Sequence, residues 1–339
     1  MSRGVTKKAG AGRIIAIAGC KGGVGKSLIA TNLAVALGHA GQRVVIVDGD
    51  LGAPNLHTLF GINSPGRGLQ AFFDHEIESL AEADMASVAY NVSLIAGAAG
   101  SGIANINHGQ KQRLVNHIRA LDTDVVVLDL GAGTAFNMID LFTLADVRLL
   151  VMAPQLTSMQ NAYTFLKGAV HRMVQHVADD REQRERTAGS AIHLGDVPIR
   201  RILDAIRLHE PEVALRAQAQ LRHFGLGLVG NLIYQDKDAQ ALLAMSRMIR
   251  DYLTISAPVV AAIRYSVPMR DAANARRPLL LDGMGGPVGI EILRLVRAVL
   301  EVDVGARRAA RAAAQPNAPG LPPAEGKDDG KGDHRATRH

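Results

Sequence analysis

Hydrophobic residues occur along this chain in short continuous runs, and most runs end at Gly, Pro or Asp. Such runs are typical of strands buried on both faces, as in a parallel sheet covered by helices. Helix-length segments separate them, so the pattern predicts an α/β fold in three layers, with a mostly parallel sheet of about seven strands. The predicted strands are residues 14–18, 43–50, 92–97, 124–131, 148–154, 225–233 and 258–263.

Helical spacing predicts the segments between these strands. The first helix is predicted at Ser27–Leu37, stopping at Gly38 and Gly41, and a later one at 163–177. A helical insertion is predicted at 177–222, where a fully charged stretch precedes a single apolar face. That face consists of Ile199, Ile202, Leu203, Ile206 and Leu208.

The segment 289–300 is amphipathic, and Arg294 and Arg297 lie on its polar side. We predict that it closes the fold by packing on the sheet. Insertion into a membrane surface is the alternative for this segment.

Charge separates the body of the chain from its ends. The 339 residues carry a net charge of +6, to which residues 1–13 contribute +4 and residues 305–339 contribute +3. The net charge of the chain between these ends is therefore about −1. The positive net charge of the whole chain comes from its ends and does not indicate a nucleic-acid-binding face. We predict a disordered basic N-terminus at 1–12, one domain at 13–304 and a disordered tail at 305–339.

The only cysteine, Cys20, excludes an internal disulfide and paired-cysteine metal sites. The apolar run before it, residues 14–18, is shorter than the roughly 7 to 15 residues of an export signal. No apolar run approaches the roughly 18 residues that span a bilayer. A cytoplasmic location is therefore predicted.

Residues 20–27, CKGGVGKS, follow the first predicted strand and open the first predicted helix. The last three residues match the phosphate-loop pattern G-x-x-x-x-G-K-[ST], although Cys20 stands where the first Gly is usual. Backbone N–H groups of such a loop surround phosphates, the lysine binds the outer phosphates, and the hydroxyl binds Mg²⁺. The predicted nucleotide-binding residues are Gly22, Gly23, Val24, Gly25, Lys26, Ser27 and Leu28.

A second lysine, Lys21, makes the pattern K-G-G-x-G-K-[ST], and with it residues 13–300 resemble the MinD/ParA family of deviant Walker A P-loop ATPases. The segment 47–62 resembles switch I of the MinD branch, although His57 stands where Asp is usual. "VVVLDLGAGT" at 125–134 is similar to a Walker B strand that leads into switch II. The segment 153–167 is similar to one found in MinD and in flagellar-number regulators.

This resemblance implies a P-loop NTPase fold with ATP and Mg²⁺ as ligands, and it assigns roles to several residues. Lys21 is implied to cross a dimer interface to the partner's nucleotide, and Asp50 to orient the attacking water. Asn231 is implied to contact adenine. The implied catalytic residues are Lys21, Lys26 and Asp50, and the implied metal-site residues are Ser27, Asp48 and Asp129, with Asp48 supporting either the metal or switch I.

The resemblance further implies a switch that dimerises on ATP, hydrolyses it with the help of a partner protein, and regulates flagellar number or division-site position. Peripheral association with the inner face of the plasma membrane is one expectation. Two alternatives stay open: a partition ATPase that binds DNA non-specifically, and a nucleotide-gated scaffold with little hydrolysis. The switch I sequence favours the MinD-like function, and the lone cysteine excludes an iron–sulfur carrier.

Cys20 stands beside Lys21, near Lys26 and at the predicted N-terminus of a helix. Nearby positive charge and helix N-termini lower thiol pKa values. We therefore predict that Cys20 serves mainly as a small residue of the loop, in surroundings that lower the pKa of its thiol.

Overall fold

The computed structural model describes residues 12–99, 106–133, 136–177 and 197–302. The predicted disordered termini (apart from Gly12) and the charged stretch 178–196 lie outside these residues. The described strands are β1 Arg13–Gly19, β2 Val44–Gly49, β3 Ala86–Ala89, β4 Val92–Ile95, β5 Val125–Ala132, β6 Val147–Met152, β7 Leu226–Ile233 and β8 Val259–Arg264. They form one sheet in the order β3-β4-β2-β5-β1-β6-β7-β8.

Every strand pair in this sheet is parallel except β3 with β4. The seven predicted strands are confirmed, and β3 is an eighth strand that the prediction missed. β3 lies at the edge of the sheet and reads Ala-Ser-Val-Ala, with its residues half-buried or exposed. A strand of this kind carries no continuous apolar run, so the pattern that found the others does not mark it.

The helices are α1 Lys26–His39, α2 Leu56–Leu59, α3 Leu69–Phe73, α4 His108–Arg119, α5 Phe136–Leu144, α6 Leu156–Val177, α7 Ile199–His209, α8 Pro211–Arg222, α9 Asp236–Leu253, α10 Val267–Asn274 and α11 Gly286–Leu300. Short 3₁₀ turns occupy Leu80–Glu82 and Leu279–Asp282. None of the described helices is both long and apolar enough to cross a membrane.

Two hydrophobic cores, one on each face of the sheet, account for the continuous apolar runs. On β1, Ile14, Ala16 and Ala18 belong to one core, and Ile15 and Ile17 belong to the other. Because successive side chains of a strand point to opposite faces, a strand covered on both sides is apolar at nearly every position. The three-layer arrangement predicted from the sequence is therefore confirmed.

The first helix extends beyond its predicted end. It runs to His39, so Gly38 lies within the helix and its prediction as a stop is wrong, whereas Gly41 does follow the helix. A Cβ atom at Gly38 would lie 2.3 Å from the carbonyl oxygen of Tyr90. Gly38 therefore serves close packing of the helix against the loop before β4, and it does not terminate the helix.

The later part of the predicted insertion forms two helices, α7 and α8, which contact each other, α6 and α9. Ile199 and Leu203 of α7 are buried. Leu208, however, is 82% exposed, so its assignment to the apolar face is wrong. It lies two residues after Ile206, or about 200° around the helix, and therefore points to the opposite side.

The amphipathic C-terminal segment forms α11, which packs against α1 and β8. Its buried residues include Ile292, Leu295 and Val299. The prediction of a helix that closes the fold is confirmed. Ile290 and Leu293 remain 54% and 43% exposed on its outer side.

Candidate functional site

The loop between β1 and α1 has the conformation of an open cradle. Gly23 and Gly25 have φ angles of 79° and 81°, values that favour glycine. No other atom would lie within 4 Å of a Cβ atom added at Gly22 or Gly23. The backbone at these two positions is therefore open to a ligand. Of the other predicted binding residues, Val24 is buried and Leu28 is half-buried in the first turn of α1.

The side chain of Lys26 points from this loop into the protein interior. Its ammonium group lies 2.5 Å from Oδ1 of Asp129 and 3.1 Å from Oγ of Ser27. Lys26 is 8% exposed and Asp129 is 1% exposed, so the ion pair is buried. Burial raises the pKa of Asp129, while Lys26 and the Ser27 hydroxyl lower it in part. The structure thus joins a cation, a carboxylate and a hydroxyl from two separate segments.

Asp48 is the register partner of Asp129 on the neighbouring strand and is also 1% exposed. Its Oδ2 accepts hydrogen bonds from the backbone N–H groups of Asn55 and Leu56, at 2.8 and 2.9 Å. Its Oδ1 accepts one from Asp50 at 3.2 Å. Burial raises the pKa of Asp48 to about 6, and the nearby charge of Asp129 acts in the same direction. These contacts favour the switch I role for Asp48 over metal ligation.

Asp50 directly follows β2 and reaches the end of β5. A Cβ atom at Gly131 would lie 2.7 Å from Oδ1 of Asp50, so only glycine leaves room for this carboxylate. Burial raises the pKa of Asp50, whereas the charge of Lys26 and the backbone N–H of Ala53 lower it. The two regions that resemble switch I and switch II therefore meet here. Gly131 belongs to this contact and was not singled out from the sequence.

Asn231 lies on β7, beneath the phosphate loop. Its Nδ2 donates to the carbonyl oxygen of Val24 at 2.8 Å, and Asn231 is buried. The next residue, Leu232, has a φ of 58° where the register between β7 and β8 shifts. The structure brings Asn231 to the site and shows it supporting the loop. A contact with adenine stays a prediction.

Lys21 lies outside this buried group. Its exposed ammonium is 3.2 Å from Oγ1 of Thr157 and 3.4 Å from Oε1 of Gln155, at the start of α6. Both partners lie in the segment 153–167, which is similar to one found in the family, but the sequence predicted no role for either residue. The predicted contact of Lys21 with a partner subunit stays a prediction.

The structure contradicts the expected acidity of Cys20. Its side chain packs in a hydrophobic core and the residue is 7% exposed. Burial raises the pKa of the thiol to about 12. The thiolate therefore loses more by desolvation than it gains from the lysines of the loop, and the prediction of a lowered pKa is wrong.

The oxygen atoms at the site suit a hard divalent cation such as Mg²⁺ that binds together with a phosphate ligand. Mg²⁺ in phosphate sites takes one or two protein oxygens and completes its shell with phosphate and water. Ser27 and Asp129 supply such oxygens at adjacent positions. Within the described ranges no group of three or more His, Cys, Asp or Glu side chains could hold a metal by itself. The donor set therefore suits a metal–nucleotide complex.

Residues 10–177 match the protein-family model described as "ParA: NUBPL iron-transfer P-loop NTPase". This chain contains a ParA-family P-loop NTPase domain. The matched region includes the phosphate loop, both switch-like regions and the start of α6. The resemblance to the MinD/ParA family is thereby confirmed.

Curated relatives match slightly less than half of the chain. The antiactivator FleN of Pseudomonas aeruginosa is 31% identical over 158 residues, which are 46% of this chain and 55% of that protein. The flagellum site-determining protein YlxH of Helicobacter pylori is 30% identical over 158 residues, or 46% of this chain and 53% of that protein. The match thus spans about half the length of these relatives.

Solved structures show the same fold over more of the chain. The cell division ATPase MinD of Pyrococcus furiosus covers 86% of this chain and 99% of its own, with a TM-score of 0.57 and 20% identity. The septum site-determining protein MinD of Pyrococcus horikoshii, complexed with Mg-ADP, has a TM-score of 0.54 and 18% identity, covering 86% of this chain and 96% of its own. These likenesses confirm the predicted fold class.

Proposed function

We propose that this protein binds and hydrolyses ATP with Mg²⁺, dimerises in the ATP-bound state, and acts as a spatial regulator. The convergence of Lys26, Asp129 and Asp50 at the mouth of the glycine loop carries this proposal. A buried ammonium held by one carboxylate is suited to move onto a phosphate, because charge-assisted bonds to phosphate are strong.

Each residue has a task in this proposal. Backbone N–H groups from Gly22 to Ser27 bind the phosphates, and Lys26 neutralises charge on them. Ser27 and Asp129 hold Mg²⁺, which neutralises charge on the β- and γ-phosphates when bound. Asp50 orients a water molecule for attack, and Asp48 holds switch I by its three backbone contacts.

The relatives favour a regulatory role. Their names include an antiactivator, a flagellum site-determining protein and septum site-determining proteins. We therefore propose that this protein controls flagellar number or division-site position, with a partner protein that stimulates hydrolysis. If ATP bound without measurable hydrolysis, the nucleotide-gated scaffold would replace this proposal.

Dimerisation is tested with two variants of the proposed catalytic residues. Asp50→Ala is expected to bind ATP but not hydrolyse it, and therefore to accumulate as a dimer in size-exclusion chromatography with light scattering. Lys21→Ala is expected to stay monomeric with ATP, because its ammonium no longer reaches the partner's phosphates. Lys21 is exposed and its contacts are with neutral side chains, so the variant should fold normally.

Thr157→Ala serves as the matched control, since it removes a contact of Lys21 within the chain but leaves the ammonium in place. It should dimerise like the unaltered protein. The assignment is wrong if Lys21→Ala dimerises normally with ATP while Asp50→Ala does not accumulate as a dimer.

Membrane association is tested with substitutions on the exposed side of α11. Exposed Ile290 and Leu293 beside Arg294 and Arg297 present apolar and basic groups together, as on helices that lie on anionic lipid. We expect ATP-dependent co-sedimentation with anionic vesicles, which the double substitution Ile290→Ser and Leu293→Ser weakens severalfold. Leu243→Ser, at an exposed leucine of α9, is the control. ATP-dependent sedimentation with DNA, and none with vesicles, would instead support the partition-like function.

A further inference from the structure

A cavity of about 360 Å³ lies between α7, α8 and the C-terminal end of α9. Its walls contain Arg200, Leu203 and Arg207 from α7, and Leu221 and Arg222 from α8. No residue of the phosphate loop or of the switch-like regions lines it. It is therefore a site separate from the proposed nucleotide site.

The charge of this cavity is mainly positive. Arg200, Arg207 and Arg222 line it together with a single acidic residue, Asp204. Arg207 donates to Asp204 at 2.9 Å. Within the part of the chain that the structure describes, the guanidinium groups of Arg200 and Arg222 have no hydrogen-bond or ion-pair partner. Arg200 and Arg222 are both exposed at the cavity and have no acidic partner among the described residues, so they are available to an anion.

The remaining lining adds apolar and neutral polar groups. Leu203 and Leu221 are 4% and 1% exposed and form an apolar floor. Gln218 is half-buried and carries an amide that can donate and accept. Thr254 follows α9 with a φ of 56°, and its buried hydroxyl has no hydrogen-bond partner among the described residues. The arginines and the amide can bind polar groups of a ligand, and the two leucines can contact an apolar part of it.

We propose that this cavity binds a small organic phosphate. The lining has a net charge of about +2, which matches the −1.5 to −2 charge of a phosphate monoester near pH 7 better than the single charge of a carboxylate. Arginine forks fit phosphate oxygens in a bidentate way. The volume of about 360 Å³ is that of a small-molecule site, so a phosphate leaves room for an organic group on the leucine floor.

The proposal is tested by isothermal titration calorimetry on the full chain. The probes are inorganic phosphate, ribose 5-phosphate and AMP, and ribose is the control that lacks a phosphate. Because the phosphate loop also binds phosphates, the titrations are made in the Lys26→Gln variant as well. We expect ribose 5-phosphate or AMP to bind both proteins more tightly than inorganic phosphate does, and ribose not to bind. Arg200→Gln and Arg222→Gln are each expected to weaken this binding at least about tenfold.

Arg201→Gln is the matched control, because Arg201 is exposed on the same helix but does not line the cavity. A second measurement compares phenylglyoxal modification of the arginines, where the probe should protect Arg200 and Arg222 and leave Arg201 reactive. The proposal is overturned if no probe binds, if binding disappears in Lys26→Gln that circular dichroism shows to be folded, or if Arg200→Gln and Arg201→Gln bind alike. ATP binding in these cavity variants reports on the nucleotide site independently.

Discussion

Lys26→Gln is expected to lower the affinity for ATP at least about 100-fold and to destabilise the nucleotide-free protein. The first effect follows from losing the cation proposed to bind the phosphates. The second follows from the buried ion pair, because the variant leaves Asp129 at 1% exposure without its ammonium partner. Removing one member of a buried pair costs about 3 kcal/mol. Calorimetry with ATP and urea unfolding without nucleotide measure the two effects.

The pH dependence of this destabilisation identifies its cause. Burial already raises the pKa of Asp129, and loss of Lys26 raises it further. A carboxyl whose folded-state pKa is raised contributes stability at low pH that is lost as pH rises through that pKa. The deficit of Lys26→Gln should therefore be larger at pH 8 than at pH 5.

Two further variants test the origin of the deficit. Adding Asp129→Asn should recover much of the stability at pH 8 but none of the ATP binding. Lys21→Ala changes an exposed lysine in the same loop and should leave the free energy of unfolding nearly unchanged. A deficit that does not change with pH, or that Asp129→Asn fails to reduce, would contradict the buried-charge explanation.

Gly25→Ala is expected to destabilise the protein by about 2 to 4 kcal/mol and to abolish nucleotide binding. Gly25 has a φ of 81°, where an alanine costs about 1 kcal/mol. The added Cβ would also lie 2.3 Å from Nδ2 of Asn231, which is buried and bonded to the carbonyl of Val24. The loop and its support must therefore move apart. Urea unfolding and ATP titration measure the outcome.

Gly22→Ala provides the comparison within the same loop. Its Cβ would meet no atom within 4 Å, so the free energy of unfolding should change by less than about 0.5 kcal/mol. In Gly25→Ala, a second change of Asn231→Ala should relieve the contact but not the cost of the positive φ. Equal stability of Gly22→Ala and Gly25→Ala would show that Asn231 does not confine the loop.

The local sequence pattern was sufficient to predict the three layers of the fold and the phosphate loop. Strands such as β1 and β5 are apolar at nearly every position because both faces are covered, and the resulting apolar runs are visible in the sequence itself. Residues 20–27 are contiguous, so their spacing alone indicates phosphate binding. β3 and the interior position of Gly38 escaped prediction, because an edge strand needs little apolar surface and a packing glycine resembles a terminating one.

The sequence by itself determined the three-layer α/β fold, the phosphate loop and the candidate carboxylates in β2, just after β2 and in β5. Tertiary structure alone decided which atoms meet: Lys26 with Asp129, Asp48 with the switch I backbone, Asp50 over Gly131, and Asn231 beneath the loop. It also reversed the expected pKa shift of Cys20, because burial outweighs nearby positive charge. Desolvation and contacts between distant segments depend on the residues that pack around a side chain in the folded protein. The residues adjacent to it in the sequence do not determine that packing.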